Sequence, residues 1–196
     1  MPQFIEKTYT AQDGLSLYYR DYGKTSSAKT TILCLSGLTR NSMDFHRLAQ
    51  RLSIERRVLC PDYRGRGHSE YDLNPYNYIP STYLNDLRHL LTLCGVHQVI
   101  IIGTSLGGLI AMAMALVMPS TIKGVVLNDI GPEIASTGRE RILKYIGTDT
   151  APTSWDAAVD ELKSLFPNLS LTTDEEWLEA TQATYRLDDT GVLHPN

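Results

Sequence analysis

The chain has little of what would tie it to a metal, a membrane or a nucleic acid. It carries only three cysteines, Cys34, Cys60 and Cys94, without metal-ligand spacing. Each sits in an apolar run, so they read as packing thiols, and an odd, scattered count fits a reducing compartment. There is no basic run: 18 lysines and arginines stand against 22 acidic residues, a net charge of −4. That balance argues against a nucleic-acid partner or an anionic membrane surface. The opening residues M-P-Q-F-I-E-K hold no apolar secretory segment, which with the cysteines predicts a cytoplasmic protein. No repeat or low-complexity tract is present. What remains is ordinary globular composition, 42% apolar over 196 residues, enough for one domain with a real core.

One apolar stretch, residues 99–118, has the length of a membrane span and includes Gly103 and Gly107 at the spacing of a helix-dimer motif. Its internal order excludes that reading. Residues 99–102 are a β-branched run, Gly103, Thr104 and Ser105 interrupt it, and Pro119 closes it. Strand, sharp turn and helix account for the same letters.

The neighbouring segments agree. Residues 4–10 and 15–22 are strand-like around Asp13-Gly14 and predict a hairpin. Runs at 30–35, 57–60, 99–102 and 122–127 read as buried strands. Helical stripes lie between them: Phe45, Leu48, Ala49 and Leu52 after a cap at Asn41 or Ser42; Leu84, Leu87, Leu91 and Cys94, ended by Gly95; and residues 106–117. A hairpin followed by alternating strands and helices specifies an α/β protein, a mostly parallel sheet with helices on both faces. Ligands in such sheets bind at the carboxyl ends of the strands. After Pro132 no strand run returns. A short helix is expected around Arg141, Ile142, Tyr145 and Ile146. An amphipathic one is expected over Trp155, Ala158, Val159, Leu162 and Phe166, with Thr153 and Asp156 as a capping box; Thr173 and Glu176 repeat the box before Trp177. The expected division is residues 1–132 as a core and 133–196 as a helical cap.

The strongest chemical signal is G-T-S-L-G, residues 103–107, set between the β-branched run and a small-residue helix. A serine on a tight strand-to-helix turn takes a strained backbone that lifts its hydroxyl above the sheet, and its close neighbours must be small. At a helix N-terminus, Ser105 also sits where free N–H groups favour negative charge.

With two further stretches this chain resembles the α/β-hydrolase superfamily over essentially its whole length. G-T-S-L-G matches the nucleophile elbow, S-G-L-T-R-N-S (36–42) the oxyanion loop, and D-Y-R-G-R-G-H-S (62–69) the D-x-R-G-x-G-x-S stretch. The resemblance implies Ser105 as nucleophile and an oxyanion hole from the backbone N–H groups of Leu38 and Leu106. Ser36-Gly37 departs from the family's usual His-Gly. Arg40 and Asn41 fall near the expected mouth; Asn41 is better read as a helix cap, and Arg40 is a candidate for a substrate carboxylate. Asp62 is expected to order its loop and His68 to be a loop residue.

Triad order in this fold is serine, acid, histidine. Asp129 is the carboxylate at a strand end after Ser105, and some family members, haloalkane dehalogenases among them, place the acid there; others carry it one strand later. The alternative for Asp129 is a cap on the turn before Gly131-Pro132. The histidine is missing: His46, His89 and His97 belong to helices or their edges, and His194 follows the cap segment. The sequence therefore predicts a chain truncated before its catalytic histidine, inactive by itself. The expected activity of the intact protein is hydrolysis of a small ester, thioester or lactone through an acyl-enzyme at Ser105, with no metal or organic cofactor. Carbon–carbon bond hydrolysis and cofactor-free haloperoxidase chemistry stay open on the same residues. So does a non-catalytic small-ligand receptor, since fold alone decides no function.

Overall fold

The structure is a computed structural model and describes residues 4–131, 152–167, 169–188 and 190–195. The chain divides into two units, Met1–Ile130 and Gly131–Asn196.

The first unit is built on a six-stranded sheet. Its strands are β1 (Phe4–Thr10), β2 (Ser16–Tyr22), β3 (Thr31–Leu35), β4 (Val58–Pro61), β5 (Val99–Thr104) and β6 (Ile122–Asn128), in the order β1-β2-β4-β3-β5-β6. The hairpin β1–β2 joins β4 antiparallel, while β4, β3, β5 and β6 run parallel. The helices are α1 (His46–Leu52), α2 (Pro80–Leu93) and α3 (Leu106–Val117).

Strand alternation sorts the core into two layers. Leu33, Leu35, Leu59, Val99 and Ile101 face one side and pack with Leu87 and Leu90 of α2 and Ile110 and Met114 of α3. Ile32, Cys34, Val58 and Cys60 face the other, with Tyr22, Phe45 and Ala49 of α1. Helices thus cover both faces, as expected. Cys34 and Cys60 are buried; burial, with Cys34 beside it, pushes the Cys60 thiol well above its usual range. The apolar run at 99–118 is divided between β5 and α3, and among the described residues no helix is long and apolar enough to cross a membrane.

The cap of the first helical stretch is Asn41, whose side chain accepts from the Met43 N–H at 3.0 Å; it opens a 3₁₀ turn, Ser42–Phe45, that leads into α1. Behind the sheet's antiparallel side, Asp21 is buried between Arg57, which donates twice to it (2.9 and 2.8 Å), and Lys7 (2.7 Å).

The second unit contains α4 (Trp155–Leu165), α5 (Asp174–Thr184) and a hairpin of β7 (Tyr185–Leu187) and β8 (Leu193–Pro195). The capping box of Thr173 and Glu176 is present. The expected box of Thr153 and Asp156 is not: Ser154, one residue later, caps α4 by accepting from the Ala157 N–H, and the residue three along from it is an alanine, which cannot complete a box. The hairpin corrects the expectation that no strand follows Pro132. Its strands are three residues each, too short to show a period of two. The helix expected around Arg141 to Ile146 lies outside the described residues.

Candidate active site

Ser105 occupies the bend between β5 and α3 with φ 50° and ψ −111°. A side chain at positive φ is rare, and this ψ lies outside the small left-handed helical well, so the conformation costs about 1–3 kcal/mol. Surrounding contacts hold it there. The Ser105 N–H donates to the Asn128 carbonyl at 3.0 Å, and the Ser105 carbonyl accepts from Gly108 (2.9 Å) and Leu109 (3.2 Å). The glycines on either side are required by close approach. A methyl on Gly103 would stand 2.5 Å from the Gly107 carbonyl oxygen, and one on Gly107 would collide with the Leu35 backbone. The hydroxyl of Ser105 has no hydrogen-bond partner among the described residues, and the residue is only half-buried.

The loop after β3 lies against this bend. A methyl on Gly37 would come within 3.8 Å of the Ser105 Cβ. The loop folds on itself: the Arg40 N–H donates to the Gly37 carbonyl (3.2 Å) and the buried Ser36 hydroxyl donates to the Arg40 carbonyl (3.1 Å). No hydrogen bond among the described residues occupies the backbone N–H of Leu38 or of Leu106, the two expected oxyanion donors. Arg40 bonds Asp44; its Nε and Nη2 grip that carboxylate at 2.6–3.1 Å. A substrate carboxylate would have to compete with Asp44 for it.

The turn 62–69 after β4 braces the same region. Asp62 is buried and accepts from the Ser42 N–H (2.6 Å) and the His68 N–H (3.0 Å). Burial raises its carboxyl above the usual range, partly offset by those two bonds. Its expected role in ordering the loop is what these bonds perform. Arg66 donates through Nε to the Leu38 carbonyl at 2.8 Å. Arg64, 1% exposed, fixes the turn from below through Asp86, Asp13 and Asp72. The motif marked these arginines only as letters; nothing in their spacing reveals which partner each takes.

Asp129 follows β6 directly, at φ 53°, and is exposed. Ser105 and Asp129 are the two non-glycine residues at positive φ among the described residues. Thr104 pairs with Asn128 in the parallel register, and the Asn128 side chain donates to the Thr104 hydroxyl at 3.1 Å, so the two bends start from adjacent strand ends. Of the five histidines, His46 bonds Tyr22 (3.0 Å) and Gln50, His68 packs on the Tyr18 ring, His89 is on α2, His97 lies between α2 and β5, and His194, in the second unit, bonds Asp188 at 2.8 Å.

A mostly parallel sheet covered on both faces, with a serine at positive φ between the fifth strand and the helix after it, is the architecture of an α/β-hydrolase scaffold. The chain belongs to the α/β-hydrolase family: the family's sequence model, described as alpha/beta hydrolase fold, matches residues 30–185. It is similar to a 3-hydroxybutyrate-oligomer hydrolase of Cupriavidus necator, 33% identical over 84% of this chain and 56% of that protein. It is also similar to the lipase LipV of Mycobacterium tuberculosis, 31% identical over 63% of this chain and 44% of that protein. The chain thus spans about half the length of these curated relatives. Among solved structures, an alpha/beta hydrolase from Novosphingobium aromaticivorans superposes with a TM-score of 0.92 at 38% identity, over all of this chain and 69% of that one.

Proposed function

We propose that Ser105 is the nucleophile of a carboxylic-ester hydrolase acting on a small ester, thioester or lactone. The observation that carries this reading is the backbone of Ser105 itself, held at φ 50° and ψ −111° with its hydroxyl unbonded among the described residues. A strained residue that its surroundings over-determine points to a function for the strain. The names of the relatives supply the bond class, since the Cupriavidus necator protein is named for cleaving hydroxybutyrate oligomers and LipV is named a lipase.

In the proposed reaction the Ser105 oxygen attacks the acyl carbon as its proton passes to an imidazole base. The carbonyl π electrons move onto oxygen, where the N–H groups of Leu38 and Leu106 donate to it; one such donor contributes about 3–4 kcal/mol in other hydrolases. The tetrahedral species collapses, the alcohol leaves with the proton from the imidazolium, and water repeats the sequence to release the acid. Asp129 is assigned to orient and stabilise the imidazolium. Among the described residues of the first unit no histidine hydrogen-bonds Ser105, so none of His46, His68, His89 and His97 is assigned as the base. That residues 133–196 act as a helical cap belongs to the same proposal.

The test is rapid mixing of the full-length protein with p-nitrophenyl esters of short acids. A burst of nitrophenol equal to the enzyme concentration, with an acyl mass on the protein that Ser105→Ala lacks, is the expected result. Tight binding of a small ligand with neither burst nor acylation would favour the non-catalytic receptor.

A further inference from the structure

We infer that Arg66 is a positioning residue for the oxyanion hole: it holds the peptide that aims the Leu38 N–H, without touching substrate. The inference rests on the ester-hydrolase reading of Ser105.

The argument starts from peptide geometry. In a trans peptide the carbonyl and N–H of one unit point in opposite directions. The Gly37–Leu38 unit has its carbonyl taken by the Arg40 N–H at 3.2 Å, so its other end, the Leu38 N–H, points away from that turn. One bond near the upper end of hydrogen-bond length does not fix the unit, because the next peptide can rotate and carry Leu38 with it. That next unit, Leu38–Thr39, has its carbonyl held by the Arg66 guanidinium at 2.8 Å, a short charge-assisted bond. Both units flanking the Leu38 Cα are therefore held by hydrogen bonds, which restrains the φ and ψ rotations that would turn the N–H aside.

Arg66 is itself located. Its Nη1 donates to the Gly65 carbonyl at 2.8 Å, so a second arm of the fork fixes the plane of the first. The turn it belongs to is anchored to the same loop a second time, four residues beyond Leu38, through Asp62 and the Ser42 N–H at 2.6 Å. Two loops from different strands are thus clamped at two points around the candidate donor. The clamp has a chemical reason. An oxyanion hole stabilises charge only if its donors are already oriented when charge develops, and a donor that must reorient loses much of its effect. The departure at Ser36-Gly37 from the family's usual His-Gly leaves this loop without that histidine, and Arg66 is a support reaching it from outside.

The experiment uses the full-length protein and three chains: wild type, Arg66→Met and Arg66→Lys. Methionine keeps the length and loses the donors; lysine keeps the charge and one donor but not the fork. Three readouts are taken: fluorophosphonate labelling, steady-state hydrolysis of a p-nitrophenyl ester, and affinity for an alkyl boronic acid, which forms a tetrahedral adduct with a serine oxygen. The expected result is a fall in kcat of about tenfold to a hundredfold in Arg66→Met, below the roughly 10²–10³-fold seen when such a donor is deleted outright. KM stays within about twofold, since the interaction acts in the transition state. Boronate affinity falls by the same factor as kcat/KM, and Arg66→Lys recovers part of both. A rise in KM at constant kcat, boronate affinity unchanged while kcat falls, or an Arg66→Met variant equal to wild type each overturns the inference. Should Arg66→Met fail to fold, Arg66→Lys decides: full wild-type kcat and boronate affinity would overturn it, a parallel loss supports it. A wild type that fluorophosphonate does not label removes the ester-hydrolase reading as well, which separates the two failures.

Discussion

Strands β5 and β6 lie side by side, run parallel and are written in nearly the same β-branched alphabet, yet they live in different surroundings. Val99 and Ile101 of β5 are completely buried, whereas Val125, Val126 and Leu127 of β6 are 38%, 51% and 40% exposed. The difference comes from place: β5 is flanked by β3 and β6, while β6 ends the sheet among the described residues. Each strand then runs into a non-glycine residue at positive φ, Ser105 after β5 and Asp129 after β6. The first bend is enclosed by the Leu35 backbone, Gly37 and the start of α3; the second is exposed. Strain of this kind needs a surrounding frame to persist. The frame is visible at Ser105 and is the reason that position, more than Asp129, carries the functional reading.

The comparison can be broken first at Asp129. If it orients the imidazole, Asp129→Asn in the full-length protein lowers kcat for a p-nitrophenyl ester by roughly 10⁴-fold with little change in melting temperature, the size seen for the equivalent change in another triad. A loss under tenfold would reduce Asp129 to a turn residue and leave Ser105 alone with its strain. Next in size is the contrast in burial. Ile101→Ala removes a fully buried side chain and should cost about 2–5 kcal/mol in urea unfolding. Val126→Ala, at an exposed position, should cost within about 0.5 kcal/mol. Equal costs would mean that β6 is covered in solution.

The smallest effect sharpens the comparison from the far side of the sheet. Burial alone would raise the Asp21 carboxyl, but its bonds to Arg57 and Lys7 outweigh that and hold it below the usual range. A depressed folded value stabilises the protein above the unfolded value of about 3.9, and the contribution disappears as pH falls through the folded value. Stability measured from pH 5 downward should therefore decline more steeply in the wild type than in Asp21→Asn. Asp62, raised by burial, has the opposite sign and loses stability as pH rises through its folded value, while Asp13 and Asp72 are lowered like Asp21, so it is the difference between wild type and Asp21→Asn that isolates Asp21.

Much of the fold was legible because its signals are periodic. The β-branched run at 99–102 and the small-residue stripe after it placed β5, the bend and α3, and the two core layers follow from strand alternation. The serine bend was legible from five letters because only glycine survives beside Leu35 and Gly107. What was not legible is pairing between segments far apart in the chain. Arg66 reaching Leu38, Arg64 collecting three aspartates and Arg40 closing on Asp44 depend on where loops meet, which no local pattern encodes. The β7–β8 hairpin escaped for a different reason: three-residue strands carry too few positions for a period to show.

The claim beneath all of this is that the hydroxyl at 105 is chemically activated. Treating the full-length protein with a fluorophosphonate and sequencing its peptides by mass spectrometry tests that directly. The account predicts one phosphonyl group per chain, on Ser105, missing from Ser105→Ala. An unmodified protein, or an adduct on any other serine, would contradict it.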